Sequence, residues 1–397
     1  MSIAVVRFCF LLAIFLATLL PISLSAQWKM HVIDDTSRGA DGVRLADFNH
    51  DGLQDIVTGW EEGGVIRIYQ NPGAEKSKSH WPRVTVGKVK SPEDAVFADL
   101  DGDGNLDVIS CCEGKTKSVY VHWAPRDNSR FMESERWVTG SFPAAEKRSA
   151  WMFAAPANID GKNGLDFFVG SKGKNASVGW MQSPADPRDL SKWKFHKLQD
   201  AGWIMSLRVI QTKVGLRLLV SDRKGPRRGV YVLERPANLS QAWNRRELNM
   251  EQLEFMFLDY HRETDFESVH VATRNNKIVS FRLTDWEARP NISEITNPVG
   301  IGNGKAVAWG DIDLDGRLDV VHSSNTQSAA KTKKVSGLHW LGLRDNAKLT
   351  WRAIADHRGR KYDRIELLDL DGDGDLDVLT CEEAANLGVI WFENPVR

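Results

Sequence analysis

The chain has 397 residues, a formal net charge of −1 and four cysteines. That balance gives no general pull toward nucleic acid or an anionic membrane. The length suits one large repeat fold better than a typical small domain.

In chain order, Met1–Ala26 reads as a secretory signal peptide, with residues 27–397 as the mature protein. Arg7 is its only charge, Phe8–Leu24 is apolar, and Ser23-Leu24-Ser25-Ala26 offers small residues for cleavage. An uncleaved anchor is the alternative, because the run is nearly long enough to span a thin membrane. Pro21 and the small residues interrupt it where cleavage would fall. Cys9 lies inside the apolar run, which argues against a lipoprotein anchor, and no later segment is apolar enough to span a bilayer. Removing Arg7 with the signal lowers the net charge by one, to −2, and leaves Cys111, Cys112 and Cys381. An odd number in an exported protein argues against a disulfide framework, and a vicinal Cys111–Cys112 bridge would be strained.

Trp28-Lys29-Met30-His31-Val32-Ile33 comes next, a strand with no partner in its own neighbourhood. The loop Asp-x-Asp-x-Asp-Gly-x-x-Asp then begins to recur. Its four copies are Asp47/Asn49/Asp51/Asp55, Asp99/Asp101/Asp103/Asp107, Asp311/Asp313/Asp315/Asp319 and Asp369/Asp371/Asp373/Asp377. Gly52, Gly104, Gly316 and Gly374 hold the sixth position, where the chain must bend sharply. Carboxylates at alternate positions of such a turn converge on one hard cation, with the ninth-position Asp closing the shell. An all-oxygen set favours calcium over softer metals. About four structural calcium ions are expected. Four similar loops argue against a catalytic metal, which needs an open position and an adjacent acid or base.

Each loop is followed by a short apolar run and a turn, and then by a second run ending in an aromatic and a breaker. Seven such second runs occur, beginning at Ile66, Val121, Val178, Val230, Val279, Leu338 and Val389. A Trp-led strand closes most units: Trp81–Val86, Trp137–Phe142, Trp193–Leu198, Trp243–Leu248 and Trp351–Ala355, with Ile292–Thr296 filling the slot less clearly. The seventh unit ends before reaching one, and the Trp28 strand supplies the missing piece. Four short strands per unit, seven units and a borrowed closing strand predict an all-β, seven-bladed β-propeller. An open β-solenoid is the competing architecture, but it needs no closing strand. Blade 3 carries a decayed loop (Asn158, Asp160, Lys162, Asp166), where the Lys162 ammonium could replace a metal. Blade 4 has Gln211–Gly215 there, and blade 5 keeps Asp259, His261, Glu263 and Asp265. Calcium is therefore expected on blades 1, 2, 6 and 7 only.

These features resemble the FG-GAP/VCBS repeat family, which includes the N-terminal propeller of integrin α-chains. The Phe-Gly pair and the Gly-Ala-Pro of that repeat are missing, and Thr58-Gly59-Trp60, Ser110-Cys111-Cys112 and Thr380-Cys381-Glu382 stand in their place. The chain is closer to the bacterial exported version of the repeat than to an adhesion receptor. The resemblance implies that the loops lie at the bottom of the ring. It implies a fold shared by calcium-loaded lectins and some carbohydrate-modifying enzymes, and does not choose between them.

On the opposite face the loops are charged unequally. Glu61, Glu62, Glu113, Glu382 and Glu383 fall in blades 1, 2 and 7, and Lys172, Lys174, Arg223, Lys224, Arg227 and Arg228 in blades 3 and 4. Trp151 and Trp203 open the inner strands of blades 3 and 4, near Asp41, Glu93, Asp94, Lys305 and Arg364. Rings beside convergent charges suit a sugar. Trp151, Trp203, Arg223, Lys224, Arg227 and Arg228 are accordingly the expected ligand residues. The bland alternatives are tryptophans packed between blades and a solvated basic turn. No nucleophile elbow, zinc helix or phosphate loop occurs. His322 is the candidate general base, although a lone histidine is usually structural. The expected function is a secreted or periplasmic, monomeric, calcium-stabilised scaffold that binds a glycan or an extracellular protein. The alternative is a polysaccharide lyase or related enzyme acting on that face.

Overall fold

The computed structural model describes residues 27–213, 215–248, 253–297, 301–325, 336–343 and 351–396. The proposed signal, 1–26, lies outside them. Twenty-eight strands form seven separate four-stranded antiparallel sheets, so the molecule is a seven-bladed β-propeller. Six blades are sequential. The seventh has Tyr362–Leu368, Asp377–Glu382 and Gly388–Glu393 from the C-terminal end, with Lys29–Asp34 as its outer strand. Lys29 faces Glu393, His31 faces Trp391 and Val32 faces Ile390. The borrowed closing strand is as expected from the incomplete last repeat.

That strand is fastened at its end to blade 1. Buried Asp34 accepts from Arg67 Nη1 at 2.6 Å, from Thr36 Oγ1 at 2.7 Å and from the Tyr69 hydroxyl at 3.0 Å. One carbonyl, that of Ser77, accepts the indole N–H groups of both Trp81 and Trp391 at 3.0 and 3.1 Å. Ile33, Trp60, Tyr69, Leu379 and Trp391 fill the layer between blades 7 and 1. Equivalent apolar layers separate the other blades, so the core is a ring of inter-blade seams. No helix among the described residues is long and apolar enough to cross a membrane.

The recurring spacing of the loops has a use within the chain itself. The ninth-position Asp is buried, and its two oxygens accept two backbone N–H groups. One lies seven residues earlier and the other begins the exit from the third strand. Asp55 takes Phe48 and Asn71, Asp107 takes Leu100 and Ala124, Asp319 takes Ile312 and Leu343, and Asp377 takes Leu370 and Asn394, at 2.7–3.2 Å. Decayed blade 3 keeps the clamp: Asp166 takes Ile159, Asp160 and Ser183. Each clamp ties three strands of a blade together at one end. Asp166→Ala should cost about 3 kcal/mol, since it leaves buried donors unpaired. The loss in chemical denaturation should be the same with calcium or with chelator, because this blade has no full loop. A loss below about 1 kcal/mol would contradict the clamp.

Two expectations about local structure need correction. Trp81, Trp137 and Trp193 do not start the outer strands, which begin at Arg83, Val138 and Lys194. Each ring instead turns back into the preceding loop, where its indole N–H meets a carbonyl of that loop: Ser77, Phe131 and Pro187. Lys162 does not replace a metal in blade 3. It is exposed, and Gln182 Nε2 meets Asp160 at 2.6 Å.

Candidate functional site

Antiparallel pairing puts the start of each inner strand and the end of each second strand at one face, opposite the Asp loops. Every inner strand has a register shift just after its start, with one residue more than its partner strand. These fall between Asp41 and Arg44, Pro92 and Asp94, Trp151 and Phe153, Ile204 and Ser206, Phe255 and Leu258, Gly304 and Val307, and Asp363 and Glu366. A bulge re-aims the side chain of the extra residue. Six bulge residues, Glu93, Met152, Met205, Met256, Phe257 and Lys305, line one cavity of about 260 Å³ at the mouth of the central channel.

The mouth has an apolar floor on blades 3 to 5, where Met152, Phe153, Met205, Met256 and Phe257 meet. Blades 1, 2 and 7 form an acidic wall. Carboxylate oxygens of Asp41, Glu61 and Glu383 lie within 4.8 Å of one another, as do those of Glu61, Glu93 and Glu113. Lys172 Nζ bonds Glu93 at 2.9 Å and also pairs with Glu113. Lys361 pairs with Glu383 and reaches Asp363 at 3.4 Å, and Lys305 also pairs with Asp363. Asp41 is 7% exposed, and its carboxylate has no hydrogen-bond or ion-pair partner among the described residues. Burial, with Asp363 and Glu93 nearby, pushes its carboxyl well above the ordinary carboxylate range. Burial also pushes Glu93 up to about 7, against the pull of Lys172.

Opposite this wall stands Trp203, ringed by cations. Lys172 Nζ, the Arg223 guanidinium and Lys224 Nζ lie 4.7, 4.6 and 4.8 Å from its ring centroid. The buried carboxylate of Asp222 sets this arrangement, accepting from the backbone N–H groups of Gly202, Trp203 and Lys224 at 3.0, 2.8 and 3.3 Å. Gly202 is required there, because a Cβ would collide with the Lys224 carbonyl. Arg223 and Arg274 both hold Glu254, at 2.9 and 3.3 Å. The Trp203 indole N–H is buried with no acceptor among the described residues.

The expected ligand residues therefore divide. Trp203 and Arg223 line the mouth, and Lys224 lies against Trp203. Arg227 and Arg228 do not line it. Trp151 is fully buried, bonds the Ala145 carbonyl at 2.9 Å and packs edge-on to Phe195, so it is an inter-blade packing residue. His322 is likewise corrected. It is fully buried, bonds Asn297 at 3.3 Å, packs against Trp351, and burial lowers its imidazole pKa to about 3. Such a group does not reach solvent as a base. Glu382 is also structural, since it accepts from the backbone N–H groups of Arg360, Lys361 and Ala385. Asp94 turns to Arg44 through two bonds of 2.9 Å. The methionine floor, Arg274 and Lys361 went unread in the sequence; for the methionines only their slot in the repeat, shared with Asp41 and Glu93, could have pointed to them.

At the other end, the donor sets suit a hard cation. Carboxylate oxygens of Asp99, Asp101 and Asp107, of Asp311, Asp313 and Asp315, and of Asp369, Asp371 and Asp377 approach within 4.8 Å. Asp371 Oδ1 is buried there without a hydrogen-bond donor. Burial, with neighbouring carboxylates, pushes Asp107 up to about 8 and Asp377 to about 7. Two loops also hold a cation from the next blade. Arg188 Nε lies 2.5 Å from Asp101, and Lys78 Nζ lies 2.9 Å from Asp371. At blade 5, Asp259 turns to His261 and the Trp309 backbone.

The gathered sets are smaller than the loop spacing predicts. Asp103 and Asp373, the fifth-position aspartates of blades 2 and 7, stand outside their clusters. Each is turned back along its own loop. Asp103 accepts the Asn105 backbone N–H at 3.0 Å and lies 3.8 Å from Arg188 Nη2, while Asp373 accepts the Asp375 backbone N–H at 3.1 Å. In blade 6 the fifth-position Asp315 joins the cluster, and Asp319 stays outside it on its clamp. Asp47, Asp51 and Asp55 of blade 1 do not gather at all. There Asp47 accepts the backbone N–H groups of Asp51 and Gly52 at 3.0 Å, and the Asn49 amide donates to Asp51 at 2.8 Å. In all four loops the amides of the tight turn share the carboxylate oxygens a cation would use, and Asp311 and Asp315 accept such amides while still gathering.

Fold and repeat define the class: a seven-bladed propeller whose blades carry Asp-rich loops at one end of the inner strands. A family model described as an FG-GAP-like repeat matches residues 47–110, from the first loop through the second strand of blade 2. The chain is a seven-bladed β-propeller that carries an FG-GAP-like repeat over residues 47–110. Among solved structures it is similar to BBS1N in complex with ARL6DN, in crystals soaked with mercury or with lead. Each is 11% identical, covers 93% of this chain and 97% of that chain, and has a TM-score of 0.52 or 0.53. At that identity the likeness concerns the fold alone. No curated protein matches.

Proposed function

We propose that this protein is an exported, calcium-stabilised scaffold that binds a glycan at the channel mouth, on the face opposite its Asp loops. One observation carries the reading. A buried donor, the Trp203 indole N–H, has no acceptor among the described residues, and the Asp41 carboxylate, which makes no hydrogen bond or ion pair there although Lys361 and Lys305 attract it, lines the same cavity. Buried polar groups are otherwise almost always paired. A ligand carrying hydroxyl groups supplies both a donor and an acceptor, and the methionine and phenylalanine floor suits the apolar face of a sugar ring. The Trp203 ring is not a bare stacking platform, since cations lie against it; its part is to hold them and to offer its N–H.

Calcium would be held by the carboxylates of the four loops, where it would neutralise groups that repel one another. Asp47, Asp51 and Asp55 with Asn49 would hold it in blade 1, and the corresponding aspartates in blades 2, 6 and 7. Asp103 and Asp373 would complete their shells by rotating toward the ion from the amides they now face. Two like charges 4 Å apart cost on the order of 4 kcal/mol near a surface.

Trp203→Ala should weaken glycan binding at least about tenfold, by loss of the N–H bond and of the ordered cations. Trp203 is half-buried and packs at the margin of the core, so the melt should shift by only about 2–4 °C. Retained affinity in a titration calorimeter would move the ligand away from the mouth.

A further inference from the structure

The mouth is polarised, and its two walls ask for opposite charges. On the acidic side stand Asp41, Glu61, Glu93, Glu113, Glu383 and Asp363, six carboxylates met by three lysines, Lys172, Lys305 and Lys361. On the basic side stand Arg223, Lys224 and Arg274 with one carboxylate, Glu254. The cavity between them is lined by members of both sets. A neutral sugar would leave the basic excess uncompensated and the acidic wall relieved by protonation alone, and a purely anionic one would face the surplus carboxylates. Like charges opposed across a desolvated site are costly, whereas a charge-assisted hydrogen bond is about twice as strong as a neutral one.

We infer that the ligand is zwitterionic, a sugar unit carrying both an ammonium and a carboxylate. This rests on the glycan reading of the mouth. The ammonium sits among Asp41, Glu61 and Glu383. Their oxygens are close enough to take its three N–H bonds, and Asp41 makes no hydrogen bond or ion pair of its own among the described residues, although Lys361 and Lys305 attract it. The carboxylate sits against Arg223, Lys224 and Arg274. Without ligand, protonation relieves the acidic wall, as the raised pKa values of Asp41, Glu61 and Glu93 indicate. Binding of an ammonium reverses this and releases protons.

Three monosaccharides that share a ring separate the charges: muramic acid carries both, N-acetylmuramic acid only the carboxylate, and glucosamine only the amine. Titration calorimetry at neutral pH in saturating calcium, with buffers of different ionisation enthalpy, gives affinities and proton release. Muramic acid is expected to bind about tenfold tighter than either relative. Asp41→Asn should reduce its affinity to that of N-acetylmuramic acid, and Lys224→Gln to that of glucosamine. Neither residue is part of an inter-blade seam, and an unchanged melt checks that the variants fold. Equal or tighter binding of N-acetylmuramic acid overturns the inference, and shows an anion site or an acidic wall already filled by a divalent ion. Preference for glucosamine overturns it too. In all those outcomes the mouth remains a sugar site. If none of the three binds, the inference falls. The glycan reading falls with it only if neutral oligosaccharides also fail to bind.

Discussion

Removing calcium with a chelator is expected to lower the melting temperature by on the order of 10 °C. At ten times its dissociation constant, a ligand that binds only the folded state contributes about 1.4 kcal/mol per site, and four sites about 5–6 kcal/mol. The loops should not contribute equally. Arg188 and Lys78 already reach Asp101 and Asp371, so blades 2 and 7 keep part of their compensation when the metal leaves. No side-chain cation among the described residues pairs with the blade 1 loop. Asp51→Ala should therefore remove more of the chelator effect than Asp101→Ala. Differential scanning fluorimetry of both variants, with calcium and with chelator, measures this directly. An unchanged wild-type melt in chelator would sink the calcium assignment.

Acid should remove the stability that four buried histidines contribute to the calcium-loaded fold. Burial lowers the imidazole pKa of His122, His270 and His322 to about 3 and of His339 to about 4. In the unfolded chain these groups titrate near 6.5. Between about pH 6.5 and 4 the unfolded state therefore binds more protons than the folded one. Their contribution to stability is fully present above pH 6.5 and is lost as the pH drops through that window, at about 1.4 kcal/mol per pH unit for each histidine. Asp41 and Glu93, whose carboxyls burial raises, hold protons in the folded state over the same window and offset part of that loss. His122 is the cleanest probe, since Ser110 and Thr139 hydroxyls bond its two ring nitrogens at 2.9 Å. His122→Gln retains polar groups in that slot, and should flatten the slope by about one histidine's share. Urea unfolding at pH 7, 6 and 5 reads both effects. A pH dependence that His122→Gln leaves unchanged would show that His122 is not buried neutral.

What was legible in the sequence was what local spacing encodes. The Asp loops, the seven repeats and the strand borrowed from the N-terminal end follow from patterns within a few dozen residues, and the ring closes as they require. The clamp made by each ninth-position Asp was hidden by its own motif, because a carboxylate that can ligate a metal can equally hold two backbone amides. Asp103 and Asp373 fit the motif for the same reason, yet face the amides of their own loops. Arg188 and Lys78 come from the next blade, so no spacing within a repeat announces them. The mouth was partly legible: Asp41, Glu61, Glu93, Glu113, Lys172, Trp203, Arg223 and Lys305 were all assigned to that face. The bulges were not, and they decide that three methionines make its floor. Trp151 and Trp203 occupy nearly equivalent positions in sequence. Trp151 falls before its bulge and packs into the seam, while Trp203 is held at the mouth by Asp222. One residue of register separates a packing ring from a site residue.

The central claim is that metal and ligand occupy opposite faces of one ring, the first stabilising it and the second recognised without chemistry. The most direct test incubates calcium-loaded wild type and Trp203→Ala with a panel of neutral, anionic and amine-bearing polysaccharides. Retention is measured, and the soluble fraction is analysed by mass spectrometry. The account predicts retention by at least one class, lost in the variant, with the glycan unaltered. Retention that Trp203→Ala leaves intact, no retention by any class, or new oligosaccharides or dehydrated sugars would contradict it.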